Sequence, residues 1–117
     1  MTGARANRHR GEIEAIIDGE RRVLCLTLGA LAELETAFAV DSLAGLAERF
    51  SSGRLKALDL IRIVGAGLRG GGNIFSDEEV GEMAVAEGLA GFAGIVASLL
   101  AATFGERDRG GAPGENP

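Results

Sequence analysis

The residues that could take part in catalysis are few and lie far apart in the chain. His9 is the only histidine, and it lies in a basic segment without a local partner for a general base. Cys25 is the only cysteine and lies among leucines, which favours a small apolar role over nucleophilic attack. A single cysteine allows neither an internal disulfide nor a cysteine-based zinc site. We therefore predict no enzyme active site, no cofactor and no metal site.

Two further segments suggest a ligand site but fit ordinary structure better. Residues 67–73, GLRGGGN, are rich in glycine like a phosphate-binding loop. They lack the GKS or GKT ending, and the segment before them has the pattern of a helix, so we predict a flexible loop between helices. The acidic residues within 77–87 match no calcium loop and favour a solvated helix face. That face is also a suitable contact surface for a basic partner.

Composition limits the class of protein. The 117 residues are enough for one domain, and 46% of them are hydrophobic. All the aromatic residues are phenylalanine, so the core must be built mainly from leucine, isoleucine, valine and alanine. The net charge of −5 argues against non-specific binding of nucleic acid, which needs an excess of lysine and arginine.

The two ends of the chain are predicted to be flexible. Residues 1–10 are predicted to form a flexible, solvated basic arm. The alternative is an arm that contacts an acidic partner or RNA. Residues 105–117 are predicted to form a disordered tail. The basic start is not followed by a signal-peptide pattern, so we expect a cytoplasmic protein. Residues 88–104 are uncharged but shorter than the about 20 strongly apolar residues of a spanning helix. A buried or interface helix is therefore favoured over a membrane segment.

Residues 11–104 are predicted to form a single α+β domain, an N-terminal β-hairpin followed by about five short helices. Asp18-Gly19 is a favoured two-residue turn between strands at 11–17 and 20–26. Ser76 and Glu79 form a capping box, while Thr27 and either Asp41 or Ser42 begin earlier helices. The predicted helices span residues 28–38, 43–51, 55–69, 77–86 and 89–104.

Two of these helices have apolar sides that fit either the core or a partner protein. The two sets are Leu28, Leu31, Leu34 and Phe38, and Phe92, Ile95, Leu99 and Phe104. Their spacing is that of a buried helix face, so core packing is the competing interpretation of each set. Small residues around the first set allow another helix to approach closely. Together with the hairpin edges, they predict a homo-oligomer.

The chain resembles a family of small phage tail proteins. The similarity rests on NRHRGE at 7–12, LTLGALAELE at 26–35, SGRL at 52–55, the GLRGGG stretch and SDEEV at 76–80. It covers roughly residues 6–104 and contains no catalytic motif. The family is encoded between the tail tube and tape measure genes of gene transfer agents, phage-like particles of alphaproteobacteria. It is described both as a tail tube protein and as a tail assembly chaperone.

The resemblance implies a non-enzymatic chaperone that binds the tape measure protein and keeps its long apolar helices soluble. It further implies contact with the tail tube protein, possible pairing with a second small chaperone, and absence from the mature particle. The two apolar sets are then candidate contact residues, by packing of a helix into a groove.

Two other functions remain open from the residues. A structural tail component could add the hairpin edge to a ring of subunits, although tail tube rings are built from many strands. A nucleic-acid regulator could use the basic arm, but its charge and the lack of a recognition helix argue against it. We predict no nucleic-acid partner and no membrane partner.

Overall fold

A computed structural model describes residues 6, 7 and 10–105. Within these residues an antiparallel two-stranded hairpin is followed by five helices, so the predicted α+β class is confirmed. His9, most of the predicted basic arm and nearly all of the predicted tail lie outside the described residues. The elements are β1 (Glu12–Ile17), β2 (Glu20–Cys25), α1 (Leu28–Ala37), α2 (Leu43–Ser51), α3 (Ala57–Gly70), α4 (Asp77–Gly81) and α5 (Gly88–Leu100), which continues as a π-helical turn (Ala101–Gly105).

The hairpin forms as the Asp-Gly pair predicts. Asp18 and Gly19 have φ angles of 54° and 78°, the left-handed region that a tight two-residue hairpin turn needs at both central positions. The strands pair from Ile17 opposite Glu20 to Glu12 opposite Cys25. One face of the hairpin turns its apolar side chains, including Ile13 and Leu24, into the core.

Helix α3 is the centre of the core, and β2, α1, α4 and α5 all pack against it. Its buried side chains include Ile63, Val64 and Leu68, each fully enclosed. The last turn of α3 lies so close to β2 that a side chain at Gly70 would overlap the carbonyl oxygen of Cys25. The prediction of a flexible loop at 67–73 was therefore wrong, because these glycines permit helix and strand backbones to touch.

Helices α1 and α2 begin at the predicted capping residues. The Thr27 hydroxyl accepts a hydrogen bond from the Ala30 N–H at 3.1 Å, and the Ser42 hydroxyl accepts one from the Gly45 N–H at 2.9 Å. The two helices meet edge to face through the rings of Phe38 and Phe50, whose centres are 5.3 Å apart. Each cap satisfies a backbone donor that the helix itself leaves unpaired.

Helix α4 begins at the predicted capping box but ends early. The Ser76 N–H donates to Glu79 at 2.8 Å, and the Glu79 N–H donates to the Ser76 hydroxyl at 3.1 Å. The predicted helix at 77–86 was too long, since α4 ends at Gly81. The reason is tertiary: Asp18 in the hairpin turn both donates to and accepts from the backbone of Ala84, at 2.8 Å each way. These bonds hold Ala84 against the hairpin turn, and the chain between Gly81 and Gly88 is not helical.

Candidate partner-binding site

Helix α5 is apolar on its exposed side as well as on the side that faces the core. Its inner side contributes Val96 and Leu99 to the core. Its opposite side is exposed and contains no charged residue. We call this side the outer α5 face, and it consists of Leu89, Ala90, Ala93, Gly94, Ala97, Ser98 and Ala101.

The outer α5 face is unusual for the exterior of a small protein. Only 22% of the stretch Gly88–Gly105 is buried, and Leu89 is 68% exposed. By length and composition alone this stretch could cross a membrane, but a core helix of a soluble protein can pass the same test. Contiguous apolar surface on a folded domain is typical of an interaction site. The small side chains would let a second helix lie close to the backbone of α5.

An open groove adjoins the end of this face. It has a volume of about 510 Å³ and lies between α2 and the π-helical turn. Phe50, Leu100 and Phe104 form its apolar walls, with Glu48 among its lining residues. Ala101 belongs to both the groove and the outer α5 face, so the two surfaces are continuous.

Acidic side chains lie before the start of α5. Glu78, Glu82 and Glu87 are exposed and form no ion pair with any other described residue. Asp77 and Glu79 are already used, by Arg69 and by the capping box respectively. Among the described residues, no group of three potential metal-binding side chains comes together. The unpaired carboxylates would favour a partner with basic residues near its apolar surface.

Arg69 joins the start of α4 to α1. Its guanidinium contacts Glu33 of α1 at 2.7 Å, the Phe75 carbonyl oxygen at 2.7 Å and Asp77 of α4 at 3.1 Å. The hydrogen bond that Arg69 donates to the Glu33 carboxylate is the main reason that the pKa of Arg69 is raised. Gly65 makes room for this arrangement, because a side chain there would overlap the Asp77 carboxylate.

The structure distributes the eight candidate residues between core and surface. In the α1 set, Leu28 is 78% exposed, Leu31 and Leu34 are buried, and Phe38 is half-buried against Phe50. In the α5 set, Leu99 is fully buried, whereas Phe92, Ile95 and Phe104 are half-buried. Neither set forms one exposed face.

The outer α5 face is not among the contact residues predicted from the sequence, because that prediction followed the large apolar residues. Those residues mark the inner side of the helix, and alanine, glycine and serine occupy the outer side. The available signal was the complete absence of charge over residues 88–104, since an exposed helix face normally has charged residues.

Cys25 does not have the surroundings of a reactive thiol. It is half-buried, and burial is the main reason that the pKa of its thiol is raised, with the nearby Glu12 carboxylate adding to the effect. Its sulfur lies 3.6 Å from the Arg10 carbonyl oxygen, to which the thiol donates. A raised pKa leaves the thiol protonated at neutral pH, and the protonated form is a poor nucleophile.

Comparison with known proteins gives one family. A family model described as "Phage tail tube protein, GTA-gp10" matches residues 10–106. No curated protein matches the chain, and no solved structure does. The matched range includes the hairpin, all five helices and the π-helical turn.

Proposed function

Since the chain belongs to the phage tail protein family described as "Phage tail tube protein, GTA-gp10", we propose that it is a tail assembly chaperone without enzymatic activity. Its main partner is the tape measure protein. It acts in the cytoplasm of the producing bacterium and leaves before the particle is complete. Its other contacts are the tail tube protein and, where one is encoded, a second small chaperone.

The outer α5 face is the observation that supports this proposal most directly. A tape measure protein is a long series of amphipathic helices, and their apolar sides have no core to enter before the tail forms. A helix without charges, exposed along its length, offers such a helix a matching surface. Packed helices lie about 8–10 Å apart, and small residues favour the lower end of that range.

The surroundings of the outer α5 face suit the same partner. The groove beside Phe104 can receive larger side chains from the bound helix. The exposed carboxylates of Glu78, Glu82 and Glu87 can attract its basic residues.

A structural component of the tail tube is the second candidate. The family's description as a tail tube protein favours it. Against it, the described residues contain a single two-stranded sheet, whereas tube rings are built from many strands. The two functions predict different locations for the protein at the end of assembly.

Quantitative mass spectrometry of producing cells and of purified particles separates these two functions. The chaperone proposal predicts abundant protein in cells and near absence from particles. A fixed ratio to the tail tube subunit inside particles would refute the chaperone and establish a structural component.

Co-purification with the tape measure protein then locates the contact surface. We expect Ala97→Glu to abolish co-purification, because it places a charge at the middle of the outer α5 face. Ala32→Glu is the matched control, since Ala32 is also exposed in the interior of a helix and the substitution is the same. Loss of binding in the Ala32 variant alone would move the contact to α1.

A further inference from the structure

The two edges of the hairpin differ in how their backbone groups are used. In the observed register, Glu12, Glu14 and Ile16 of β1 and Arg21, Val23 and Cys25 of β2 direct their N–H and C=O groups away from the partner strand. Two hydrogen bonds agree with this assignment. The Glu12 N–H donates to the Asn7 carbonyl oxygen at 3.0 Å, and the Val23 carbonyl oxygen accepts from the Asn73 side chain at 2.8 Å.

The β2 edge is covered by the end of α3, where Gly70 and Gly71 lie against its carbonyl groups. Among the described residues, other parts of the chain bond to the backbone of the β1 edge only at its two ends, Asn7 to Glu12 and Ala84 to Asp18. Within the part of the chain that the structure describes, the backbone groups of Glu14 and Ile16 have no hydrogen-bond partner. The side chain of Ile16 is 54% exposed, whereas the Glu14 carboxylate is held by the Ala6 N–H at 3.1 Å.

We propose that a second copy of this chain pairs with the free β1 edge, antiparallel, about a two-fold axis at Ala15. The pairing joins two hairpins into a four-stranded sheet. A sheet of two strands is at the lower limit of stability, and an unpaired edge is a template for another strand. A two-fold axis makes the contact self-complementary, so the association closes at a dimer.

The charges and the free backbone groups select this register over its neighbours. An axis at Ile13 places Glu12 opposite Glu14, and an axis at Glu14 places that residue opposite its own copy. Like charges directly opposite each other destabilise a strand pair. An axis at Ile16 places Glu14 opposite Asp18 of the other copy, which lies beyond the end of β1, so no strand residue pairs with the backbone of Glu14.

The axis at Ala15 keeps like charges apart between residues 13 and 17. Glu12 lies opposite Asp18 of the other copy only at the two ends of the pairing, where their N–H groups are already bonded to Asn7 and Ala84. The same axis places Glu14 of each copy opposite Ile16 of the other, so all the free backbone groups of these two residues are paired. The two Ala15 side chains meet at the axis, where their Cβ atoms would lie about 4.5–5.5 Å apart, and their small size permits that approach.

Light scattering after size exclusion tests the dimer. We expect the wild-type protein to have twice the chain mass of 12.0 kDa at high concentration. Ile16→Pro removes the outward N–H and should give a monomer. Arg21→Pro is the matched control, because Arg21 lies directly opposite Ile16 and directs its N–H to the other edge. Circular dichroism confirms that both proline variants are folded.

Two results of this measurement overturn the proposal. A wild-type monomer at every concentration would refute pairing between two copies. A dimer that persists in folded Ile16→Pro places the contact between copies elsewhere on the molecule.

Cross-linking tests the register without proline. In a Cys25→Ser background, Ala15→Cys should form a disulfide-linked dimer under mild oxidation, because Cα atoms of such a pair lie about 4.5 Å apart, within disulfide range. Glu14→Cys is the control, since its copy would lie diagonally at about 7–8 Å. Equal or faster cross-linking through Glu14 would refute the axis at Ala15.

Discussion

Helices α3 and α5 share many small and apolar residues but have opposite surroundings. Both are rich in glycine, alanine and leucine. In α3 a side chain at Gly67 would come within 2.6 Å of Leu99, whereas at Gly94 of α5 it would meet nothing. Small residues in α3 thus allow close packing inside the domain, and those on the outer side of α5 remain available to a partner.

The difference follows from what each helix can contact within a short chain. Helix α3 is surrounded by the hairpin and three other helices. Helix α5 and the π-helical turn that continues it come last among the described residues, and α5 packs against β1 and α3 from one side only. Its outer side is left exposed because no further element of the described chain packs there. An uncharged exterior at that position is more readily explained by an interaction than by stability.

The largest expected effect on stability comes from shortening a leucine side chain in α3, and the same change in α5 is its comparison. Leu68→Ala in α3 should lower the free energy of unfolding by about 3 kcal/mol, because the side chain is fully buried and its loss leaves a cavity. Leu89→Ala on the outer α5 face should change it by less than about 0.5 kcal/mol. Urea unfolding of both variants measures the contrast, and equal losses would contradict it.

A glycine at the end of α3 should be the next most sensitive position. Gly71→Ala should lower the free energy of unfolding by about 2 kcal/mol, because the new side chain would overlap the Val23 carbonyl oxygen and force helix and strand apart. Urea unfolding again gives the value. An unchanged midpoint would show that the end of α3 tolerates a shift away from β2.

The sequence predicts the local features of the fold but not the contacts between distant segments. Asp18-Gly19, the caps at Thr27 and Ser42, and the box at Ser76 are local signals, and each forms as predicted. The close approach of the α3 glycines to β2 depends on residues far apart in the chain, so no local pattern reveals it. The early end of α4 has the same origin, in the contact between Asp18 and Ala84.

The candidate contact surface was less predictable than the fold. Large apolar residues at helical spacing indicate which side of α5 enters the core, and Leu99 does so. They do not indicate whether the opposite side is covered by another element. That depends on the number of elements available to surround the helix, which is a property of the whole fold.

Polar side chains should show a smaller version of the same contrast. Asn73→Ala should lower the free energy of unfolding by about 1 kcal/mol, because its amide donates to the Val23 carbonyl oxygen at 2.8 Å and fixes the loop after α3 against β2. Ser98→Ala on the outer α5 face is the control and should have almost no effect. Thermal unfolding measures the difference in stability between the two variants. Equal stability would mean that a water molecule replaces the Asn73 amide at no cost.

The smallest expected effect has the opposite sign and concerns Gly94. Gly94→Ala should raise the free energy of unfolding by about 0.5–1 kcal/mol, because alanine stabilises a helix interior and the added methyl group meets no neighbour. If the outer α5 face binds a helix of the tape measure protein closely, the same methyl group should weaken co-purification. A variant that is more stable alone but binds less well would assign Gly94 to the interface. Higher stability with unchanged binding would mean that the partner does not approach α5 at this turn.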